Sequence, residues 1–373
     1  VRIAQLANFV GPTSGGMKTA VDALGSGYVA DGHEVLLVVP GPTDARWSTS
    51  SGEVVQVRAP RVGEHYRLIV EPWRVLDVLE DFAPTSVEVH DKTTLLPVAR
   101  WARRRDVASV LFSHERMGDM LASRTGRVAG SLASIALLNR LLVRTFDRVV
   151  VTSEYARSEL AGVAASVGCP VDQVPLGVDL DTFRPMASVE PRDRGVLRLV
   201  HAGRLSREKS PALAVATAVE LHRRGVAVRL DVFGSGPHRD ELEELAGDAP
   251  VVFRGHVADR RELGARLAGT DVALSVSPHE TFGLAVLEAL AAGTPVVTAD
   301  RGGARELVDA SCGGWGHDAA TLADAVLGVA DRPRVETRTA ARQRAEQFPW
   351  ATTVRRMLAI HRRGADRPLV RAG

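Results

Sequence analysis

Short apolar runs alternate along the chain with stretches in which apolar residues recur every three or four positions. The pattern predicts a strand over residues 3–9, a helix over 17–30 and a second buried strand over 34–39. The helix is expected to end at Asp31-Gly32, with Gly32 as its C-terminal cap. Further strands are expected over 86–89, 109–112 and 148–152, with helices over about 95–105 and 132–145. Strands that are apolar throughout, rather than on alternate positions, belong in a parallel sheet covered on both faces by helices.

The rhythm breaks after Val174-Pro175-Leu176-Gly177-Val178, and the stretch to Gly195 is rich in Pro, Asp and Arg without periodicity, which reads as a linker. It then restarts, with strands expected over 197–202, 229–233, 251–254, 271–276 and 295–298. A helix over 211–224 has Ser210 as its expected N-cap, Pro211 at the first helical position and Gly225 past its end. The expectation is two doubly wound α/β domains in tandem. Such sheets bind ligands beyond the carboxyl ends of their strands, so two of them would hold a ligand in the cleft between them.

Composition narrows the classes. The chain has 373 residues, 45% hydrophobic and 25% charged, which fits a folded protein of two or three domains. Its 47 Lys and Arg against 45 Asp and Glu leave a net charge of +2, too balanced for a nucleic-acid binder working by bulk charge. The two cysteines, Cys169 and Cys312, are far apart and lack metal-ligand spacing, so neither a disulfide framework nor a zinc site is expected. The most apolar stretch, 131–143, is short and interrupted by Asn139 and Arg140, which rules it out as a span. The first residues read as a strand rather than an export signal, and the default expectation is a cytoplasmic protein.

Several loops look built for phosphate. Gly11 to Thr19 nearly spells a Walker A loop, but Met17 separates the glycines from Lys18-Thr19. What remains is a strand-to-helix turn at Gly15-Gly16, either a plain tight turn or a close backbone approach to a phosphate or sugar. Gly234-Ser235-Gly236 opens like a dinucleotide fingerprint but has Arg239 where the third glycine belongs, so an NAD enzyme is not expected. Asp179-Leu180-Asp181 matches a metal-binding triplet of sugar transferases in letters only, at the linker's edge. Arg204 and Lys209 follow a strand and precede a helix, a setting for a diphosphate or simply a solvated loop.

The most informative segment runs from Ser277 to Pro295. Glu280 lies just before a helix expected to start near Gly283 and stop at Gly293, and Glu288 falls about five residues into it. The two carboxylates would sit at different depths of one site and accept from paired hydroxyls. Alternatively, Glu280 is a helix N-terminal charge and Glu288 a solvated position.

With its seven-residue spacing, this segment resembles the paired-glutamate signature of retaining glycosyltransferases of group 1, which have the two-Rossmann GT-B fold. Supporting matches run in the family's order: Gly15-Gly16-Met17, His114, Ser153-Glu154-Tyr155, Pro175 to Asp179, Gly203-Arg204-Leu205 to Lys209, Gly234-Ser235-Gly236 and Gly255-His256-Val257. The resemblance implies an N-terminal acceptor domain over 1–187, a nucleotide-sugar domain over 188–348, and a helix over 349–373 that returns to the first domain. It implies Glu280 beside the transferred sugar, Glu288 on the donor ribose, and Arg204 with Lys209 on the diphosphate in place of a metal. The N–H groups of Phe282, Gly283 and Leu284 would bind sugar hydroxyls or phosphate, and His256 and Val257 would flank the base. Gly16 would close over the diphosphate and His114 would contact the donor sugar. One departure is Leu176, where many relatives carry Asn.

No carboxylate can be nominated for a double displacement. The resemblance instead implies front-face substitution, with the leaving diphosphate helping to deprotonate the acceptor hydroxyl. Within the family, Gly11 to Asp22, Ser113-His114-Glu115-Arg116 and Pro278 to Gly283 look like the actinobacterial GDP-mannose-dependent mannosyltransferases of phosphatidylinositol mannoside synthesis. The competing expectations are a UDP-sugar-dependent transferase acting on a soluble molecule, a sugar-nucleotide epimerase of the same fold, and a non-catalytic nucleotide-sugar binding module. Residues 92–148 carry eleven Lys and Arg against four Asp and Glu. Leu132, Ile135, Ala136, Leu138, Leu142 and Val143 would form an apolar helical face beside them. Such a helix suits peripheral contact with anionic lipid at the inner face of the membrane, or else packs its apolar side on the core.

Overall fold

The computed structural model describes residues 1–8, 10, 15–62, 66–119, 132–186 and 195–365. The chain divides into two compact units. One comprises residues up to Leu176 together with Trp350 onward, and the other Gly177–Pro349.

The first unit contains β1 (Arg2–Leu6), β2 (Glu34–Gly41), β3 (Ala45–Thr49), β4 (Gly52–Arg58), a two-stranded ribbon of β5 (Arg61–Val62) and β6 (Tyr66–Arg67), β7 (Ser86–Val89), β8 (Ala108–Ser113), β9 (Arg148–Val151) and β10 (Val171–Gln173). Its main sheet runs β10-β9-β8-β7-β1-β2-β4-β3, parallel except for the edge strand β3. Strand order reverses between β7 and β1, so the loops that follow these two diverge at a switch point. The helices are α1 (Gly16–Ala30), α2 (Pro72–Phe82), α3 (Leu96–Arg104), α4 (Leu132–Thr145), α5 (Glu154–Ser158) and α6 (Ala161–Ala165). The C-terminal helix Trp350–Ala365 packs against α1, where Gly27 leaves no room for a Cβ beside Val354. Gly32 closes α1 as expected: with φ +83°, it lets the N–H groups of His33 and Gly32 reach the carbonyls of Tyr28 and Val29.

The second unit contains β11 (Leu197–Ala202), β12 (Val228–Phe233), β13 (Val251–Gly255), β14 (Val272–Ser275), β15 (Val296–Ala299) and β16 (Gly313–Gly316), ordered β13-β12-β11-β14-β15-β16 and all parallel. Its helices are α7 (Pro211–Arg223), α8 (Arg239–Ala246), α9 (Arg260–Ala268), α10 (Leu284–Ala291), α11 (Ala319–Ala330) and α12 (Arg334–Ala345). Leu199, Leu230, Val272 and Val297 from four strands pack with Ala214, Leu221, Leu322 and Val326 from α7 and α11. The switch point lies between β11 and β14.

Three expectations need correction. The units change at Leu176, eleven residues before the expected boundary at 187, because residues 179–183 are stapled into the second unit. Arg342 Nη1 donates to the carbonyls of Leu180 and Phe183, and the Phe183 ring lies under the Arg260 guanidinium. Ser210 precedes α7 but does not cap it with its side chain, since a 3-10 turn at Arg207–Lys209 drives it to φ +50°. The membrane-facing set on α4 is also revised. Leu142 and Val143 are core residues and Leu138 packs against the same core. Ala136 of the expected set is exposed, together with Leu137, 70% exposed, and Leu141, 38% exposed, on the side that carries Arg140 and Arg144. Strand 3–9 ends at Leu6, and Phe9, Gly11 to Ser14, Arg124 and Arg127 lie outside the described residues. Among the described residues, no helix is long and apolar enough to cross a membrane.

Candidate active site

In the second unit the carboxyl ends of β11 and β14 supply the two loops at the switch point, and these carry the charged residues singled out in the sequence. The loop after β11 holds Gly203, Arg204 and Lys209, and the loop after β14 holds Glu280. Lys209 Nζ donates to Glu280 Oε2 at 2.6 Å. Arg204 Nη1 lies 3.6 Å from Glu208 Oε1, a carboxylate that also accepts from Ser206 Oγ. Burial raises the Glu208 carboxyl, but the Ser206 hydrogen bond and the neighbouring cations bring it below its ordinary value. Ser277 Oγ donates to the Glu208 carbonyl and so ties the two loops together.

Behind Glu280 the chain is held by its own carbonyl, which accepts from Gly303 N at 2.6 Å. Gly302 takes φ +94° there, close to the carbonyls of Pro278 and Glu280. Gly283, at φ +102°, is the N-cap of α10, and a Cβ on it would press on Ala304 and Val286. Phe282 is buried and anchors this turn, and Leu284 starts the helix half-buried. From Val286 to Ala291 every residue of α10 is buried, and Glu288 is the one charged residue among them.

The Glu288 side chain is only 9% exposed, and its Oε1 accepts from Arg260 Nη2 at 2.7 Å. Burial raises its carboxyl above the ordinary range, and the Arg260 guanidinium opposes that shift. Arg260 escaped the sequence reading because it lies 28 residues upstream, at the start of α9.

Gly234 and Gly236 serve the loop after β11. A Cβ on Gly234, which has φ +144°, would meet the Gly203 carbonyl oxygen at 1.8 Å, and one on Gly236 would meet that of Leu205 at 2.4 Å. Hydrogen bonds from Gly203 N to Phe233 O and from Leu205 N to Ser235 O lock the two loops together. His256 is exposed and Val257 half-buried, just past β13 beside Gly255, whose carbonyl accepts from Gly234 N.

In the first unit, Gly15 is the N-cap of α1 and Gly16 its first residue, both exposed at the edge of the described loop. Lys18 turns along the helix to Asp22 at 2.6 Å, as a lysine off the Walker register can do. His114 follows β8 directly, its ring stacked on Phe112 and His90. Burial and the neighbouring His90 push its pKa well below the ordinary value, so it is neutral. Its Nε2 lies 2.6 Å from His90 Nδ1. Behind His90 lies Glu88, fully buried in the middle of β7. A carboxylate inside the apolar run Ser86-Val87-Glu88-Val89 was the signal the sequence reading passed over.

Asp179 is satisfied by its own turn. Its carboxylate accepts from Asp181 N, Thr182 N and Thr182 Oγ1 at 2.6 to 3.0 Å.

Two family models match the chain: a glycosyl transferase 4-like domain over residues 15–177 and glycosyl transferases group 1 over 197–332. A GDP-mannose-dependent α-(1-6)-phosphatidylinositol dimannoside mannosyltransferase of Mycobacterium tuberculosis is 39% identical, across 96% of this chain and 95% of its own. A glycogen synthase of the same species is 30% identical across 95% of this chain and 93% of its own. Among solved structures, sucrose-phosphate synthase from Thermosynechococcus elongatus superposes with a TM-score of 0.81 at 20% identity, over 97% of this chain and 98% of that one. The α/β architecture is that of GT-B glycosyltransferases, and the chain belongs to the group 1 glycosyltransferase family.

Proposed function

We propose that the chain transfers mannose from GDP-mannose to a hydroxyl of a phosphatidylinositol mannoside, with retention of configuration and without a divalent cation. The observation that carries the reading is the 39% identity, over nearly the full length of both chains, to a mannosyltransferase of that donor and acceptor class. The site residues support the reaction. Arg204 and Lys209 face the diphosphate, Glu288 accepts from the two ribose hydroxyls, and Glu280 stands beside the sugar. His256 and Val257 flank the base.

The anomeric C–O bond to phosphate breaks while the acceptor oxygen bonds to the same carbon on the same face. The acceptor's proton passes to the departing phosphate oxygen. Charge accumulates on that diphosphate, where two cations and a helix N-terminus stabilise it most. Lys209 exchanges Glu280 for phosphate when donor binds, and Glu280 is released toward the sugar.

The outward residues of α4 support a lipid acceptor. Leu137 and Leu141 enter the interface of the inner leaflet while Arg140 and Arg144 meet anionic head groups. The test is incubation with GDP-mannose, EDTA and vesicles containing a phosphatidylinositol dimannoside. The expected product is one hexose heavier and α-linked. Preferential use of a UDP-sugar, or isomerisation of the sugar without transfer, would contradict the reading.

A further inference from the structure

We propose that His201 is a further binding residue of the site in the second unit: when the donor's diphosphate enters the loop after β11, His201 Nε2 takes up a proton from solvent and bonds a phosphate oxygen as a third cation. The proposal deepens the proposed function and rests on it for the diphosphate at Arg204 and Lys209.

His201 is the last residue but one of β11, at the carboxyl end that feeds the switch-point loop. It is buried, and its Nδ1 lies 2.9 Å from the Leu274 carbonyl oxygen on the neighbouring strand β14. A carbonyl only accepts, so Nδ1 carries the proton, and in a neutral ring Nε2 is then an acceptor. That atom is buried and has no hydrogen-bond partner among the described residues. Buried polar atoms in native proteins are nearly always bonded, and one left over beside a ligand loop is explained by the ligand.

The direction in which Nε2 points names that ligand. A Cβ built on Gly203 would have His201 Nε2 at 3.6 Å and Cε1 at 4.0 Å, and nothing nearer outside its own chain neighbours. The edge of the ring thus faces the residue that opens the loop of Arg204 and Lys209, on the side where a glycine leaves room.

The surrounding charges set the sign of the response. His201 shares a sheet face with Leu197 and Leu199, which pack on the apolar inner sides of α7 and α11. Residues 211–219 of α7 carry no charge. Asp231 of β12 is level with Val200 and so lies on the opposite face, and His238, past β12, turns to Glu241. On the loops, Arg204 lies by Glu208 and Glu280 pairs with Lys209. Burial pushes the His201 pKa down, the Leu274 carbonyl opposes this, and the Lys209 charge adds to the lowering, so the ring is neutral. A diphosphate brings more negative charge to Lys209 than the single carboxylate it displaces, and an anion beside an imidazole favours the protonated form. The new N–H at Nε2 then has its acceptor, while Nδ1 keeps the Leu274 carbonyl.

The test is calorimetry of GDP-mannose binding, without acceptor, in two buffers of different ionisation enthalpy at pH near 7. The expected result is proton uptake, up to about one per donor bound, by the wild type and none by His201→Asn, whose amide keeps a donor to Leu274 and lacks Nε2. Between pH 8 and 7 the wild type should gain up to about tenfold in donor affinity relative to the variant. A merely structural role would weaken binding in the variant without changing the proton count. Binding by the wild type with no uptake, or uptake kept by His201→Asn, overturns the proposal. Should His201→Asn not fold, ¹⁵N-histidine NMR of the wild type decides. The His201 ring should pass from neutral, protonated on Nδ1, to imidazolium on adding GDP-mannose, and a ring that stays neutral overturns the proposal. Failure of GDP-mannose to bind at all overturns the donor reading and this proposal together, whereas binding without a change at His201 leaves the donor reading intact.

Discussion

Lys209 and Glu280, 71 residues apart in sequence, close a 2.6 Å ion pair between the two loops at the switch point of the second unit. The cation proposed for the donor's diphosphate is thus paired with the carboxylate proposed for the sugar. Donor binding exchanges one anion for another at Lys209, and a partly exposed pair of this kind is worth under about 1 kcal/mol.

Lys209→Ala is therefore expected to lower kcat by about 10²- to 10³-fold, as a charge stabiliser of the leaving group is lost. Glu280→Gln should also lower kcat, yet bind GDP roughly two- to fivefold tighter, because Lys209 no longer has to be released. Steady-state kinetics with calorimetry of GDP binding checks both. Weaker GDP binding by Glu280→Gln would contradict the exchange.

The Arg260–Glu288 pair predicts a pH dependence. Burial raises the Glu288 carboxyl, and Arg260 limits the rise. With Glu288 as the proposed acceptor for both ribose hydroxyls, its protonation should lower donor affinity as pH drops through that raised value. In Arg260→Gln the fall should begin at a higher pH, and 2′-deoxy-GDP should be affected less than GDP. Identical pH profiles for the variant and the wild type would refute the coupling.

Glu88, whose carboxyl is shifted the other way, gives a stability prediction. Its folded pKa is depressed, so its contribution is fully present above the ordinary carboxylate value of 4.5 and is lost as pH falls through the folded value. Glu88→Gln should destabilise the protein by about 1–3 kcal/mol at pH near 7, since several buried donors lose an ionised acceptor. The gap between the two melting temperatures should narrow in acid. A gap that stays constant down to the acid limit would show that Glu88 is not ionised.

Gly234→Ala is expected to destabilise the protein by at least about 1–3 kcal/mol, because its Cβ meets a backbone carbonyl that cannot swing away. Thermal unfolding measures it. A neutral substitution would mean that Gly234 is present for the ligand and not for the loop.

On α4, Arg140→Glu with Arg144→Glu should weaken binding to anionic vesicles by roughly thirtyfold or more, at about 1 kcal/mol per cation removed. Leu137→Ser should weaken it too, whereas Leu138→Ser should unfold the unit, because Leu138 packs on the core. Vesicle co-sedimentation separates these. Equal binding to neutral and anionic vesicles would remove α4 as a lipid-binding surface.

The alternation of strands and helices was legible because it depends on local periodicity, and so were several helix ends, where Gly32, Gly225 and Gly283 each take a positive φ. The outward side of α4 was not. Its apolar residues occupy more than one side of the helix, and only packing decides that Leu142 goes inward and Leu137 outward. Pairings across long separations were equally hidden. Nothing in the spacing joins Glu88 to His361, 273 residues later, or Arg260 to Glu288. Ser210 breaks the expected pattern because a cap is a backbone conformation before it is a residue type, and the preceding turn had already fixed it.

Mannosyl transfer from GDP-mannose, at a site proposed to hold the diphosphate by side chains alone, can be measured as the rate of product formation by the purified chain. The substrates are GDP-mannose and phosphatidylinositol dimannoside vesicles, in EDTA and again in excess magnesium, with the new linkage read by NMR. An α-mannosyl product should form at the same rate in both. A reaction that stops in EDTA and returns with magnesium, or a β-linked product, would contradict metal-free transfer with retention.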